Sequence, residues 1–464
     1  MKYKLFDRDP GFYKNVFALS LPIALQSLIT IGVNMLDNIM LGNLSETSFS
    51  AVSLANSFVG IYHILCMGLG MGASVLVSRY YGMKLAKDEP EKAERALRQT
   101  VCLMLRLALL LALLFAVVTA AIPELLMTMY TNEAPLIEQG AIYFRWSVAS
   151  YFFTGASLTT TIALRSVRQV RYPLFVSIGA FMVNIVANYM FIFGKWGAPY
   201  MGTAGAALGT LLARIFEAAL ILGYLFLKDR EIAFRIKHLF MKTRSLIGEY
   251  IRICIPVLIS DGILAIGNNT VAMVIGHLGQ TFVAANAITA VTQQLSTVVV
   301  QGVSQGGAIV TGQTLGKGDR EKTMKQGYLF FGLGLGLGFL SALFIMIAKN
   351  PIINAYKEVG PEARETAGQL MLAISLIIIF QATNSIMTKG VLRGGGDTKM
   401  LMLTDNIFLW AISIPLGILA GFVLHFPAFW IYVCLKSDQI IKTFWSYLRL
   451  RSGKWVKKIS TGRQ

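Results

Sequence analysis

The chain has 464 residues, 55% hydrophobic and only 14% charged, with mean hydropathy +0.61. Several soluble domains of this total size would carry about a quarter charged residues, which excludes that reading, whereas one span takes roughly 20 apolar residues and leaves room for about a dozen. The net charge of +18 would suggest nucleic acid in a soluble protein; in a membrane protein it bears on orientation instead.

Apolar stretches predict spans at 16–42, 51–79, 99–122, 140–161, 172–193, 204–227, 250–276, 284–314, 326–348, 367–389, 401–423 and 427–448. The fold class expected is an all-α polytopic membrane protein of twelve transmembrane helices. The first stretch is too long for the apolar core of a signal peptide, contains Asn34, Asp37 and Asn38, and lacks an A-x-A cleavage site. With the N-terminus in the cytoplasm, 35 of the 42 Lys and Arg fall in inward segments. Outward segments hold Lys195, Lys349, Lys357 and Arg364. That asymmetry predicts both termini on the cytoplasmic side. Cys66, Cys102, Cys254 and Cys434 lie in apolar stretches without a C-x-x-C pair and read as small hydrophobes.

Along the spans, polar residues are few enough to take in order. Span 1 carries Gln26, Thr30, Asn34, Asp37 and Asn38 at helical spacing, one polar stripe. The amides and hydroxyl suit interhelical hydrogen bonds. Asp37 differs, because a carboxylate deep in a span is costly and marks function by default. Asn184 and Asn188 share one face of span 5, and Arg214 and Glu217 on span 6 are spaced to neutralise each other. In the second half, Asp261 and Asn268 in span 7, Gln381 and Asn384 in span 10 and Asp405 in span 11 are candidate cavity polar groups. For Asp261 and Asp405, structural pairing and function stand level. Lys389 and Arg393 flank the cytoplasmic end of span 10 and read as snorkelling or loop contacts. Two motifs are set aside: GVSQG at 302–306 lies mid-span without the strand-to-helix turn of a nucleophile elbow, and GLGLGLG at 332–338 lacks the frame of a nucleotide loop. Both read as helix packing, and no Walker A motif is present.

Shifting the sequence by 234 residues superposes 22–82 on 256–316 without a gap. Pro22 meets Pro256, Asn34 meets Asn268, and Gly42, Gly68, Gly72 and Gly82 meet Gly276, Gly302, Gly306 and Gly316. The chain therefore divides into six-span halves, 1–240 and 241–464, joined by the basic 228–252 segment. Six is even, so the halves insert with the same orientation, the arrangement of parallel repeats that rock around a shared cavity.

The stretches LSLPIALQSLITIGVNMLDNIMLG (19–42), NIVANYMFIFG (184–194), GTAGAALGT (202–210) and LRGGGDT (392–398), in this order, resemble the multidrug and toxic compound extrusion (MATE) family over nearly the whole chain. The resemblance implies a two-lobed, twelve-helix antiporter that expels organic, often cationic compounds, driven by inward protons or sodium ions. It places the family's first-span acid on Asp37 and its sodium site on Asp37, Asn184, Asn188 and Thr210. In some relatives the position of Asn188 is an aspartate, so this chain has one charge fewer there. One carboxylate retains sodium weakly, which tilts the reading toward a proton and keeps sodium as the alternative. Acids that certain branches carry in spans 7 and 10 are missing: the span 7 position is apolar, around Leu264 or Ala265, and span 10 has no acid.

Three functions compete. The first is an ion-coupled exporter of small amphipathic or cationic compounds, with a Met-rich chain suited to adaptable binding. The second is a lipid-linked saccharide flippase of the same superfamily, against which stand twelve spans and an acid in span 1. The third is a membrane enzyme, for which His63, His238, His277 and His425 are too scattered. The exporter is the reading adopted, in the plasma membrane of a bacterium. It is expected to work as a monomer on small-molecule substrates in the bilayer, without nucleic acid, enzymatic chemistry or a cofactor beyond the coupling ion.

Overall fold

Long apolar runs have one solution in a bilayer, the helix, because every backbone group must find its partner within the segment. The computed structural model describes Leu5 and residues 9–86, 89–355 and 360–457, and all regular structure among them is helical. The first four long or short helices are α1 Pro10–Gly42, α2 Glu46–Ala86, α3 Pro90–Ala121 and α4 Pro123–Thr128. They are followed by α5 Ala134–Ser147, α6 Ser150–Ser166, α7 Arg171–Phe193 and α8 Thr203–Gly223. A loop with a short 3-10 turn, Ile236–Phe240, leads to α9 Arg244–His277, α10 Gln280–Gly316, α11 Arg320–Ala355 and α12 Pro361–Ser385. The chain ends in α13 Thr398–Phe408, α14 Ile414–Ile418, α15 Ala428–Leu435 and α16 Ser437–Ser452. Among the described residues, ten helical stretches are long and apolar enough to cross a membrane, three of them running on through π segments: Thr203–Lys228, Pro361–Leu392 and Thr398–Val423. The protein is a polytopic helical membrane protein, and exposed side chains such as Leu113, Leu114 and Val117 on α3 or Leu340, Leu343 and Ile347 on α11 are its lipid-facing surface. Lys357, counted above among the outward charges, lies outside the described residues.

The two predicted spans not among the ten are broken. Span 4 is the pair α5 and α6, span 12 the pair α15 and α16. At the first break, Ser147 Oγ donates to Tyr143 O at 2.7 Å and Ser150 Oγ to Ser147 O at 2.6 Å. Such local hydroxyl bonds compete with the helix ladder. At the second, Lys436 leaves helical geometry and the Asp438 N–H turns to Ser413 Oγ at 2.6 Å. Hydropathy averages over such breaks. Four π segments also interrupt the pattern, Tyr224–Lys228, Ile386–Leu392, Leu409–Ser413 and Leu419–Val423.

Two compact units form. The N unit holds Leu25–Lys84 and Glu89–Ile255; the C unit holds Met1–Ala24, Leu85–Asp88 and Pro256–Gln464. Their boundaries differ from a single cut at 240 by an exchange: the start of α1 belongs to the C unit and the start of α9 to the N unit. Close packing accounts for it. In the C unit a Cβ at Gly306 would stand 2.6 Å from Ser20 Oγ, and one at Gly302 2.5 Å from the Ser20 carbonyl. In the N unit a Cβ at Gly72 would stand 2.8 Å from Cys254 Cα. Gly72 and Gly306, like Ser20 and Cys254, are 234 residues apart, so the repeat reproduces the same glycine-lined contact in each unit. Small residues let helix backbones approach this closely. GVSQG is therefore packing surface, and in GLGLGLG a Cβ at Gly334 or Gly338 would run into Thr383 or Ile379 of α12.

Candidate functional site

Asp37 sits five residues before the end of α1, and in the N unit it is met by α7. Asn188 Nδ2 donates to Asp37 Oδ1 at 2.6 Å and lies 3.4 Å from Asn184 Oδ1. Both asparagines are buried, while Asp37 is half-buried. The i, i+4 spacing on α7 is what stacks the two amides on one face. Gly209 on α8 makes the room: a Cβ there would clash with Asn188 Oδ1. That oxygen has no hydrogen-bond donor, although it is buried. Among the described residues Asp37 has no ion-pair partner. The nearby Arg214 is instead bonded to Glu217 at 2.7 Å, the pairing their spacing implied. Thr210 follows Gly209 and is half-buried, but makes no hydrogen bond to Asp37, Asn184 or Asn188 among the described residues. The structure thus brings Asp37, Asn184 and Asn188 together and leaves Thr210 beside them.

The rest of the span 1 stripe separates. Gln26 is buried and fully engaged, donating to Ser177 Oγ at 2.6 Å and to the Pro173 carbonyl at 3.3 Å, and accepting from the Arg165 guanidinium. It braces α1 on α7 and α6, and its oxygen satisfies a buried cation. Asn34 and, at the matching repeat position in the C unit, Asn268 are exposed.

The C unit handles its charges by pairing. Arg393 forks onto Asp261, with Nη2–Oδ1 2.9 Å and Nη1–Oδ2 3.3 Å. This corrects the snorkelling expectation for Arg393, which is buried because it has a carboxylate to reach across 132 residues of sequence; Lys389 is exposed. Gln381 accepts from Gln293 Nε2 at 2.7 Å. Asn384 Nδ2 donates to Gln439 Oε1 at 2.9 Å. Asp405 lies 3.5 Å from the ammonium of Lys442, which also meets Asp438 at 3.0 Å. Lys442 lies inside the predicted span 427–448, and the structure buries it beside two carboxylates. In the LRGGGDT stretch, Asp397 is gripped by Arg449 at 2.6 and 3.0 Å, and a Cβ at Gly395 would run into the buried Trp455. These glycines let the chain end fold back onto the end of span 10.

Sequence reasoning missed Gly209, Ser413, Asp438, Gln439 and Lys442. Only Asp438 and Lys442 had left a signal, two opposite charges four apart inside a predicted span.

Comparison with known proteins follows the same outline. The MatE family model matches residues 22–190 and 256–419, one stretch in each half. A probable multidrug resistance protein NorM of Thermotoga maritima is 25% identical, covering 100% of this chain and 99% of that one. The multidrug resistance protein NorM of Burkholderia vietnamiensis is 28% identical, over 86% of this chain and 85% of its own. Among solved structures, the outward-facing conformation of a multidrug resistance MATE family transporter of the MOP superfamily superposes with a TM-score of 0.84. It shares 18% identity and covers 95% of this chain and 96% of that one. At that identity the likeness speaks for the fold.

Proposed function

The chain belongs to the MatE family and is a transporter of that family, and from that premise we propose that it exports small organic, often cationic compounds in exchange for protons. One observation carries the proposal: Asp37, a carboxylate in a membrane helix, is held by an amide and has no cation paired with it. A carboxylate locked to Arg or Lys stays charged. One held by amides can lose its charge to a proton and regain it, and so report which side of the membrane it faces. Asn188 turns its NH2 to Asp37 and keeps its oxygen away, an arrangement that serves a carboxylate; a sodium ion would need that oxygen turned inward.

Alternating access is the mechanism proposed. The chain passes between the units within α1 at Ala24/Leu25 and within α9 at Ile255/Pro256, next to Pro22 and Pro256, and also at either end of Leu85–Asp88. A proline inside a helix removes one ladder hydrogen bond and loosens the helix there. Two units joined through such points can move as bodies. The protein works as a monomer in the plasma membrane, with both termini in the cytoplasm and no cofactor. The test imposes each gradient alone on proteoliposomes preloaded with a cationic dye. Transport driven by a pH gradient in sodium-free buffer, and retained in Asn184→Ala, is expected. Transport driven by sodium at constant pH, and lost in both Asn184→Ala and Asn188→Ala, would overturn proton coupling.

A further inference from the structure

The segment between α8 and α9 is fastened along the N unit, and what it leaves facing outward is of one kind. Asp229, fully buried, accepts the Ile232 and Ala233 N–H groups at 3.0 Å each and Gln169 Nε2 at 2.8 Å. Lys84 Nζ donates to the Glu231 carbonyl at 2.7 Å. On α3, Arg106 Nε donates to the Leu239 carbonyl at 2.9 Å and its Nη2 to the Met241 carbonyl at 3.1 Å, while Gln99 Nε2 donates to the Lys242 carbonyl at 2.8 Å. Ile232 and Phe234 belong to the N-unit core, and Leu239 and Met241 pack against it.

Three apolar side chains point the other way. Leu227, Ile236 and Phe240 are 76%, 60% and 84% exposed. Interleaved with them along the chain are Lys228, Arg230, Lys237, Lys242 and Arg244, all exposed and none in an ion pair among the described residues. The nearby acids are engaged elsewhere. Asp229 holds its backbone cradle, Glu231 takes the Tyr81 hydroxyl at 2.9 Å and Glu249 the Tyr80 hydroxyl at 2.6 Å. The outward charge is therefore positive. Its depth follows from α3. Arg106, which clamps Leu239 and Met241, lies four residues before Leu110 on the same face, and Leu110, Leu113 and Leu114 belong to the lipid-facing surface of that helix. The turn Ile236–Phe240 thus sits at the membrane surface, where that apolar face begins. Outward apolar tips among basic side chains are the pattern of a segment lying in the interface plane.

We propose that residues 227–244 bind anionic phospholipid at this membrane surface. Leu227, Ile236 and Phe240 enter the boundary of the acyl chains, and the five basic side chains take the headgroup phosphates. Long Lys and Arg stems keep their charge at headgroup level while the apolar side chains dip below it, and charge-assisted hydrogen bonds to phosphate oxygens hold the lipid. The segment is then an anchor that ties the N unit to one leaflet. The proposal rests on the membrane fold and not on proton coupling, so its test does not use export.

The test places a bimane fluorophore on Phe240→Cys in the full chain, subtracting the labelling of the unsubstituted protein with its native cysteines. The protein is reconstituted in phosphatidylcholine vesicles with a minor share of phosphatidylglycerol, and bromine is carried on the chains of one lipid or the other. Per mole of lipid, brominated phosphatidylglycerol should quench the label about fivefold more strongly than brominated phosphatidylcholine, the factor that one Lys or Arg near an anionic surface supplies. At Leu343→Cys, on the lipid-facing side of α11, the two lipids should quench equally. The preference at Phe240→Cys should shrink as salt is raised, and should vanish when Lys237→Gln, Lys242→Gln and Arg244→Gln are combined, with quenching by both lipids retained. These side chains make none of the bonds that fasten the segment, so the variant keeps the turn. Equal quenching by the two lipids without the glutamine changes, or a preference that survives them, would overturn the site. So would absence of quenching by either lipid, which would mean that water or a second copy of the chain covers the turn.

Discussion

The two units answer the same problem, a carboxylate inside a membrane, in opposite ways. In the N unit Asp37 meets Asn188 and no cation, while Glu217 there is paired with Arg214. In the C unit Asp261 meets Arg393, Asp397 meets Arg449, and Asp405 and Asp438 share Lys442. Internal repetition copies the helices and the glycine contacts, but not the charges. Amide ligation leaves a carboxylate free to change its charge, whereas ion pairing costs desolvation and then resists change. Under the proposed function, this difference gives the N unit's Asp37 the switching role and leaves most of the C unit's acids to hold structure.

Breaking the N-unit side should have the largest effect. Asp37→Asn is expected to leave a folded, membrane-inserted protein that binds dye but shows no gradient-driven export, because an amide cannot take up and release a proton. Binding by fluorescence and export in liposomes separate the two. On the C-unit side the cost should fall on stability. Lys442→Met leaves two buried carboxylates without their ammonium, and loss of one partner of a buried pair costs about 3–5 kcal/mol. Thermal unfolding in detergent should show the loss. An unchanged melting temperature would mean that Lys442 holds nothing together.

A smaller change sharpens the contrast. Gly209→Ala places a methyl where Asn188 Oδ1 lies, and overpacking of this kind costs roughly 1–3 kcal/mol. The amide must move away from Asp37, so export should fall about tenfold if some 1.4 kcal/mol of that reaches the transport barrier. The same change at Gly336, where a Cβ meets open space, should do nothing. The smallest effect lies outside the membrane. His238 Nδ1 accepts the Arg235 N–H at 2.9 Å, and partial burial, then the charges of Arg98, Lys237 and Arg235, hold its imidazole below the usual value. The neutral ring is the form the turn Ile236–Phe240 uses, so its contribution is present above about pH 6.5 and fades as pH falls. Amide exchange in this turn should quicken on acidification, and His238→Ala should abolish that dependence.

Much of this was legible in the sequence, and for a physical reason. Hydropathy, charge asymmetry and the 234-residue repeat are additive or local properties, so the spans could be read from them and two halves expected, and the cost of an intramembrane carboxylate singled out Asp37. Partners are neither additive nor local. The family resemblance groups Asn188 with Asp37, but no local property of the chain says that the two meet across 151 residues, or that Arg393 turns inward to Asp261. The breaks at 148–149 and at Lys436 are accompanied by serine hydroxyl bonds to nearby backbone groups, which no average over a span records.

The central claim is that Asp37 exchanges protons as substrate moves. The most direct measurement is substrate-driven proton flow: an inward gradient of a cationic dye is imposed on sodium-free proteoliposomes carrying a pH reporter in the lumen, with no pH gradient at the start. The account predicts that the lumen becomes alkaline as dye enters with the wild type, and that Asp37→Asn leaves it unchanged. A lumen pH that stays constant while the wild type moves dye, or that rises equally with Asp37→Asn, would contradict it.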